Sequence, residues 1–296
     1  MENVHHAYTS GSVTSNDGTV ISYRRMGNGP GVVLLHGAVM SSQLFMKLGT
    51  ALSDSFTVCI PDRRGRGLSG PFGDEYGIKK EIEDLDAILK QTDANNVFGL
   101  SAGALITLEA ALRLPAISKA ALYEPPLNID NSIAAVLPFM TRLDREIAEG
   151  RMADAMATFT KNFAKYFERR LLLLSLLPHP ILSKFFARLM RNDAKNVKGG
   201  DVPFQALLPT FRHDIQLILD TAGTLETFRG VRTEVLLLGG SESPMVLKRT
   251  LDALSEILPN AKRIELQRVG HEAPTDRGQP EYIAPELRRF FSDSSN

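Results

Sequence analysis

Asn96-Val97-Phe98-Gly99-Leu100-Ser101-Ala102-Gly103-Ala104-Leu105-Ile106 passes from apolar, strand-forming residues through a G-x-S-x-G turn into helix-forming residues that continue to Leu114 and stop at Pro115. Small residues on either side of Ser101 permit a sharp, strained turn, which lifts the hydroxyl beyond the sheet. The N-terminus of the following helix favours developing negative charge. Glycine and serine also meet in ordinary turns, so the pattern alone says little. The strand before it and the helix after it are what make Ser101 the candidate nucleophile.

The surrounding chain repeats the strand-then-helix order. Gly31 to Leu35, Phe56 to Ile60, Asn96 to Leu100, Lys119 to Tyr123 and Glu234 to Leu238 are continuous apolar runs. Such runs suit strands covered on both faces, the situation in a mainly parallel sheet. Arg263 to Leu266 is a weaker run of the same kind, and Thr19 to Arg24 alternates as a strand after a polar start. Between them Ile78, Ile82, Leu85 and Leu89 recur at helical spacing, with Lys79, Lys80, Glu81, Glu83 and Asp84 free to face water. Alternation of this sort predicts an α/β fold.

From about Leu127 to Arg229 the strand-like runs disappear. Helix-forming material takes their place at Ile133 to Glu149, Met152 to Leu176 and Ile181 to Arg191, with Pro138, Pro178, Pro180, Pro203 and Pro209 marking bends or breaks. The expected organisation is a core over residues 1–126, a helical insertion over 127–229 and a second core segment over 230–296.

A serine hydroxyl needs a base beside it, and histidine is the side chain whose ordinary pKa suits that exchange near neutrality. Of the 6 histidines, His271 lies in the short loop Val269-Gly270-His271-Glu272 after the last predicted strand. His5 and His6 belong to the N-terminus. His179 and His213 lie in the helical stretch, where packing or surface roles are the blander reading, with His213 a candidate for bordering a pocket. Leu34-Leu35-His36-Gly37-Ala38-Val39 leaves an early strand and enters a loop. A backbone amide from such a loop can join the amide after the nucleophile in binding an oxyanion, so Ala38 and Ala102 are the donor candidates. His36 is read as a residue that holds this loop.

Together with Asp62-Arg63-Arg64-Gly65-Arg66-Gly67-Leu68-Ser69, these features resemble the α/β-hydrolase superfamily over nearly the whole chain, from about Thr19 to Phe291. The resemblance implies an eight-stranded, mostly parallel sheet flanked by helices, a helical cap inserted after strand 6, and a Ser/acid/His triad. It also implies that the Asp62 to Ser69 stretch is a structural loop, not a phosphate or nucleic-acid site. Most serine members place an aspartate in the loop after the penultimate strand. Here that loop reads Leu238-Gly239-Gly240-Ser241-Glu242-Ser243-Pro244, and Ser243 stands at the expected place of the acid. Two carboxylates remain. Glu124 follows the run Ala120 to Tyr123 and precedes Pro125-Pro126, and Glu242 lies one residue before the usual position. Glu124 is favoured, because a strand end before rigid prolines is better preorganised than a Gly/Ser loop. Glu242 is the rival.

Large apolar side chains crowd the helical stretch: Met140, Met152, Met156, Phe159, Phe163, Tyr166, Phe167, Phe185, Phe186 and Met190. Much of this is the core of the cap, and the same side chains would wall an apolar pocket. The predicted activity is hydrolysis of a medium-sized, largely hydrophobic ester, lactone or thioester through an acyl-enzyme on Ser101. C–C bond hydrolysis, lyase or other biosynthetic chemistry on the same fold is the alternative, and a non-catalytic small-molecule receptor is a further one. Lys plus Arg and Asp plus Glu both number 34, which gives no overall field for nucleic acid or a membrane. No Cys/His cluster, phosphate-cradling glycine loop or membrane-length apolar run occurs, so the expectation is a cytoplasmic monomer or homodimer without cofactor or metal. The only cysteine, Cys59, lies in the run Phe56 to Ile60 and reads as packing.

Overall fold

The computed structural model describes residues 8–129, 136–167, 169–193 and 201–293. Its centre is an eight-stranded sheet in the order β1-β2-β4-β3-β5-β6-β7-β8. The strands are β1 (Thr9–Thr14), β2 (Val20–Met26), β3 (Gly31–Leu35), β4 (Thr57–Pro61), β5 (Ala94–Leu100), β6 (Lys119–Tyr123), β7 (Glu234–Gly240) and β8 (Ala261–Leu266). β2 runs antiparallel to both β1 and β4, and from β4 to β8 every pairing is parallel.

The alternating faces of the central strands explain their unbroken apolarity. Val33, Leu35, Val97, Ala120, Leu122, Val235 and Leu237 pack on one side with α2 (Ile78–Thr92), α3 (Ala102–Arg113) and α10 (Met245–Ile257). Val32, Leu34, Phe98, Leu100, Ala121, Tyr123, Leu236 and Leu238 pack on the other with α1 (Met46–Leu52) and α11 (Pro280–Ser292). Both faces being covered, the middle positions of these strands are apolar, and the buried polar residues Thr57, Asn96 and Lys119 lie near the strand starts.

The sequence carries no strand signal at β1. Its residues Thr-Ser-Gly-Ser-Val-Thr are exposed or half-buried at the sheet edge, so no apolar alternation marks them. Cys59 is buried in β4, and burial pushes its thiol well above the ordinary range.

Among the described residues, the stretch between β6 and β7 contains helices and no strand. It holds α4 (Leu137–Ala148), α5 (Met152–Phe167), α6 (Arg169–Ser175), α7 (His179–Asp193), α8 (Phe204–Leu207) and α9 (Phe211–Asp220). The helix-forming stretch Met152 to Leu176 holds α5 and α6. The predicted start at Ile133 lies outside the described residues, as do His5 and His6, and the side chains of Tyr166 and Phe167 are not among those described. Pro138 sits in the first turn of α4 and Pro180 in that of α7, where a missing N–H costs no helical hydrogen bond. These helices share an apolar cluster of their own, including Met140, Met156, Phe163, Phe186 and Phe211, and Val39 from the loop after β3 is part of it. The inserted helices therefore sit over the carboxyl edge of the sheet.

Candidate active site

Parallel strands bring their carboxyl ends to one edge, where loops from β3, β5, β6 and β8 meet. Ser101 follows β5 directly, with φ 53° and ψ −120°. That conformation is strained for a residue with a side chain. It is held because the Ser101 N–H donates to the carbonyl of Tyr123 at 2.9 Å, and because Gly103 lets the turn lie against β3. A Cβ on Gly103 would stand 2.3 Å from the carbonyl oxygen of Leu35. Ser101 is buried yet lines a cavity, so its hydroxyl reaches a space that the sheet does not fill.

Glu124 also has positive φ, 52°, at the step where β6 ends before Pro125. Its N–H still continues the sheet by donating to the carbonyl of Leu238 at 3.1 Å, so the side chain turns toward β7 and β8. One carboxylate oxygen, Oε1, accepts the Gly240 N–H at 2.7 Å, and the other, Oε2, lies 2.6 Å from Nδ1 of His271. Both partners of this short contact are sealed from water, with 0% and 1% of their surfaces exposed. A buried carboxylate there orients the ring, places a proton on Nδ1 and leaves Nε2 as the acceptor. The loop is further pinned by Tyr123, whose hydroxyl donates to the carbonyl of Gly270 at 2.7 Å.

Glu242, the rival acid, is exposed, and its N–H donates to the carbonyl of Val269. The structure brings Glu124 and not Glu242 to His271. Ser243 is buried, and its hydroxyl makes no hydrogen bond among the described residues. Strand adjacency explains how an acid can stand at either place. Tyr123 pairs with Leu238, so the ends of β6 and β7 are neighbours and both reach the β8 loop.

The loop after β3 provides the opposite wall. Among the described residues, the N–H groups of Ala38 and Ala102 have no hydrogen-bond acceptor, which leaves both free for a negatively charged oxygen. Val39 has φ 55°, an outlying conformation for a β-branched residue. Among the described residues, three of the five non-glycine residues with positive φ, Val39, Ser101 and Glu124, thus fall at this one edge. His36 holds the loop from below: its ring contacts the carbonyl of Gly37 through Nδ1 at 3.0 Å and accepts the Arg63 N–H through Nε2 at 3.2 Å. Burial, with Arg63 and Arg66 nearby, keeps its pKa well below the usual histidine range, so it is a neutral strut.

A second set of partners was not foreseen from the sequence. Asp214 of α9 accepts the Val39 N–H at 3.3 Å, Arg63 at 3.0 Å and Arg66 at 2.8 Å. Arg63 also grips Glu81 at 2.8 Å, and Tyr76 donates to the same carboxylate at 2.6 Å. Burial works against the Arg63 charge, but Glu81 and Asp214 outweigh it and hold the guanidinium protonated. The Asp62 to Ser69 loop therefore carries buried cations that tie the inserted helices to the loop after β3. His213 does not line the cavity; it stacks on Phe72 with ring centres 3.7 Å apart.

The cavity has a volume of about 310 Å³ and is lined by Ser101 and His271 with Val39, Met40, Leu44, Met156, Phe159, Phe163, Phe186, Leu189, Phe204 and Phe211. Thr160, Glu272 and Arg277 add polar groups.

Residues 30–277 match the family model described as the alpha/beta hydrolase fold. The chain belongs to the α/β hydrolase family. An α/β hydrolase of Sphaerobacter thermophilus shares its structure with a TM-score of 0.74 and 30% identity, over 95% of this chain and 100% of that one. Two curated relatives match shorter stretches. The magnesium-chelatase 30 kDa subunit of Rhodobacter capsulatus is 30% identical over 118 residues, 39% of this chain and 42% of that protein. The cis-3-alkyl-4-alkyloxetan-2-one decarboxylase of Shewanella oneidensis is 32% identical over 107 residues, 34% of each. The matched stretch thus spans well under half the length of these relatives. No helix among the described residues is long and apolar enough to cross a membrane.

Proposed function

We propose that this α/β hydrolase cleaves a medium-sized, largely hydrophobic ester, lactone or thioester through an acyl-enzyme on Ser101. The observation that carries the reading is the buried contact of 2.6 Å between Glu124 and His271, in a cavity that His271 shares with Ser101.

In the proposed reaction His271 Nε2 takes the Ser101 proton as the hydroxyl oxygen attacks the carbonyl carbon. Negative charge develops on the former carbonyl oxygen, toward the free amides of Ala38 and Ala102. Glu124 remains ionised and stabilises the imidazolium. Collapse of the intermediate transfers the proton from His271 to the leaving group, and a water then repeats the sequence to release the acid and restore Ser101. The Met and Phe lining accounts for preference: a cavity of about 310 Å³ with few polar groups favours compact apolar acyl or alcohol portions. The inserted helices act here as a cap.

Labelling with a fluorophosphonate tests the reading, beside a panel of aryl esters, lactones and acyl thioesters. Labelling of the wild type and not of Ser101→Ala, with turnover of at least one substrate class, is the expected result. An unreactive Ser101 would refute it and favour a receptor. A second reading, lyase or C–C chemistry at the same residues, draws on the likeness to the decarboxylase of Shewanella oneidensis. It is distinguished by products: labelling without turnover of any ester, lactone or thioester, together with decarboxylation or carbon–carbon cleavage.

A further inference from the structure

The inserted helices expose apolar side chains of which one, Leu189, also lines the Ser101 cavity, while the other five lie outside it. Leu172, Leu173, Leu176, Ile181, Phe185 and Leu189 are each at least 38% exposed, with Leu173 and Leu176 above 70%. They run from α6 through the intervening turn and along one face of α7, where 181, 185 and 189 recur at steps of four. Isolated exposed leucines are ordinary on a protein surface; six within eighteen consecutive residues, on or between two helices that both pack against α5, are a concentration of exposed apolar area.

The charge on this segment is mostly positive, with Asp193 at the end of α7 as the acidic exception. From Leu172 to Arg191 the sequence has Lys184, Arg188 and Arg191 and no aspartate or glutamate. Lys184 and Arg188 are exposed on α7, and none of the three cations is paired with a carboxylate among the described residues. A symmetric contact between two copies through this face would set these cations near their own counterparts, which disfavours a second copy as the occupant. Apolar side chains beside unpaired cations are instead complementary to a surface that is anionic outside and hydrocarbon beneath.

We propose that α6 and α7 dock on an anionic lipid surface. Leucine and phenylalanine side chains would enter the acyl boundary while Lys184, Arg188 and Arg191 meet phosphate groups. Phe186 and Leu189 of the same helix line the Ser101 cavity, so the docked face adjoins the catalytic space. The neutral charge of the whole chain concealed this local bias. Peripheral docking of this kind needs neither a net positive charge nor a membrane-length apolar run, the two features whose absence from the sequence speaks against a membrane partner.

Cosedimentation of the full chain with phosphatidylcholine vesicles, with or without phosphatidylglycerol, tests it. Binding to the anionic vesicles alone is expected. Neutralising two cations in Lys184→Gln/Arg188→Gln weakens it about thirtyfold, and Leu173→Ser/Leu176→Ser removes it. Unchanged thermal melting shows that the variants fold. Equal binding to both vesicle types, no binding, or binding indifferent to the substitutions would overturn the proposal. So would a dimer in sedimentation equilibrium that Leu173→Ser/Leu176→Ser dissolves. The readout needs no turnover, so failure here leaves the hydrolase reading standing, and an inert Ser101 with intact vesicle binding would sink only the latter.

Discussion

Replacing Glu124 by glutamine keeps the shape of the side chain and removes its charge. In the native arrangement one carboxylate oxygen accepts from Gly240 N–H at 2.7 Å and the other faces His271 Nδ1 at 2.6 Å. A glutamine has a single acceptor oxygen for these two sites. If that oxygen stays with Gly240, the amide NH2 confronts Nδ1 and drives the ring proton to Nε2, the atom that must accept from Ser101. If the amide turns over, Gly240 N–H is left buried against a donor, at a cost of about 1–3 kcal/mol. Either way the imidazolium formed during attack loses its buried counter-charge. Removing one partner of a buried pair costs about 3–5 kcal/mol, and loss of the triad acid lowers turnover by about 10⁴. The expected outcome for Glu124→Gln is a fall in kcat of about 10³–10⁴ with KM changed little, measured on an aryl ester by stopped-flow and steady-state kinetics. Glu242→Gln, at an exposed side chain, stays within about twofold. Turnover of Glu124→Gln within tenfold of wild type, or an equal loss in Glu242→Gln, would refute the assignment of the acid.

Gly103→Ala places a methyl 2.3 Å from the Leu35 carbonyl, against backbone that cannot yield; soluble expression or thermal melting is expected to show severe loss of the folded state. Asp214→Asn leaves two buried arginines short of a counter-charge, so denaturant unfolding is expected to show a loss of about 3–5 kcal/mol. The same change loosens the strained Val39 turn beside Ala38. Val39→Gly, which removes the strain at φ 55°, should therefore recover more kcat in the Asp214→Asn background than it gains alone, measured in a double-mutant cycle. Acid should destabilise the fold through His36. Its folded-state pKa is depressed by burial below the unfolded value of about 6.5, so the unfolded chain binds more protons as pH drops below that value. Stability from this group is present above pH 6.5 and falls below it, by up to about 1.4 kcal/mol per pH unit, with His213 adding in the same direction. Urea midpoints that stay level from pH 7 to 5 would contradict that linkage.

What could be read from the sequence depended on how local each signal is. The turn at Ser101 was legible because strand, turn and helix are contiguous, and the central strands because burial on two faces leaves few polar positions. Glu124 was recognisable as a carboxylate at a strand end. Its meeting with His271 needed the pairing of Tyr123 with Leu238, which places β6 beside β7 across more than a hundred residues. Asp214 carried no local signal: its partners Val39, Arg63 and Arg66 are 148 to 175 positions away. β1 was hidden for the opposite reason, since an exposed edge strand imposes no apolar pattern.

Locating the acyl group tests the account at its centre. The full chain is mixed with an aryl ester, quenched in acid during the first turnovers, digested and mapped by mass spectrometry. The account expects the added acyl mass on the peptide carrying Ser101, accumulation of that adduct in His271→Ala to be lost, and no adduct in Ser101→Ala. An acyl group on another residue, or turnover that persists in Ser101→Ala, would contradict it.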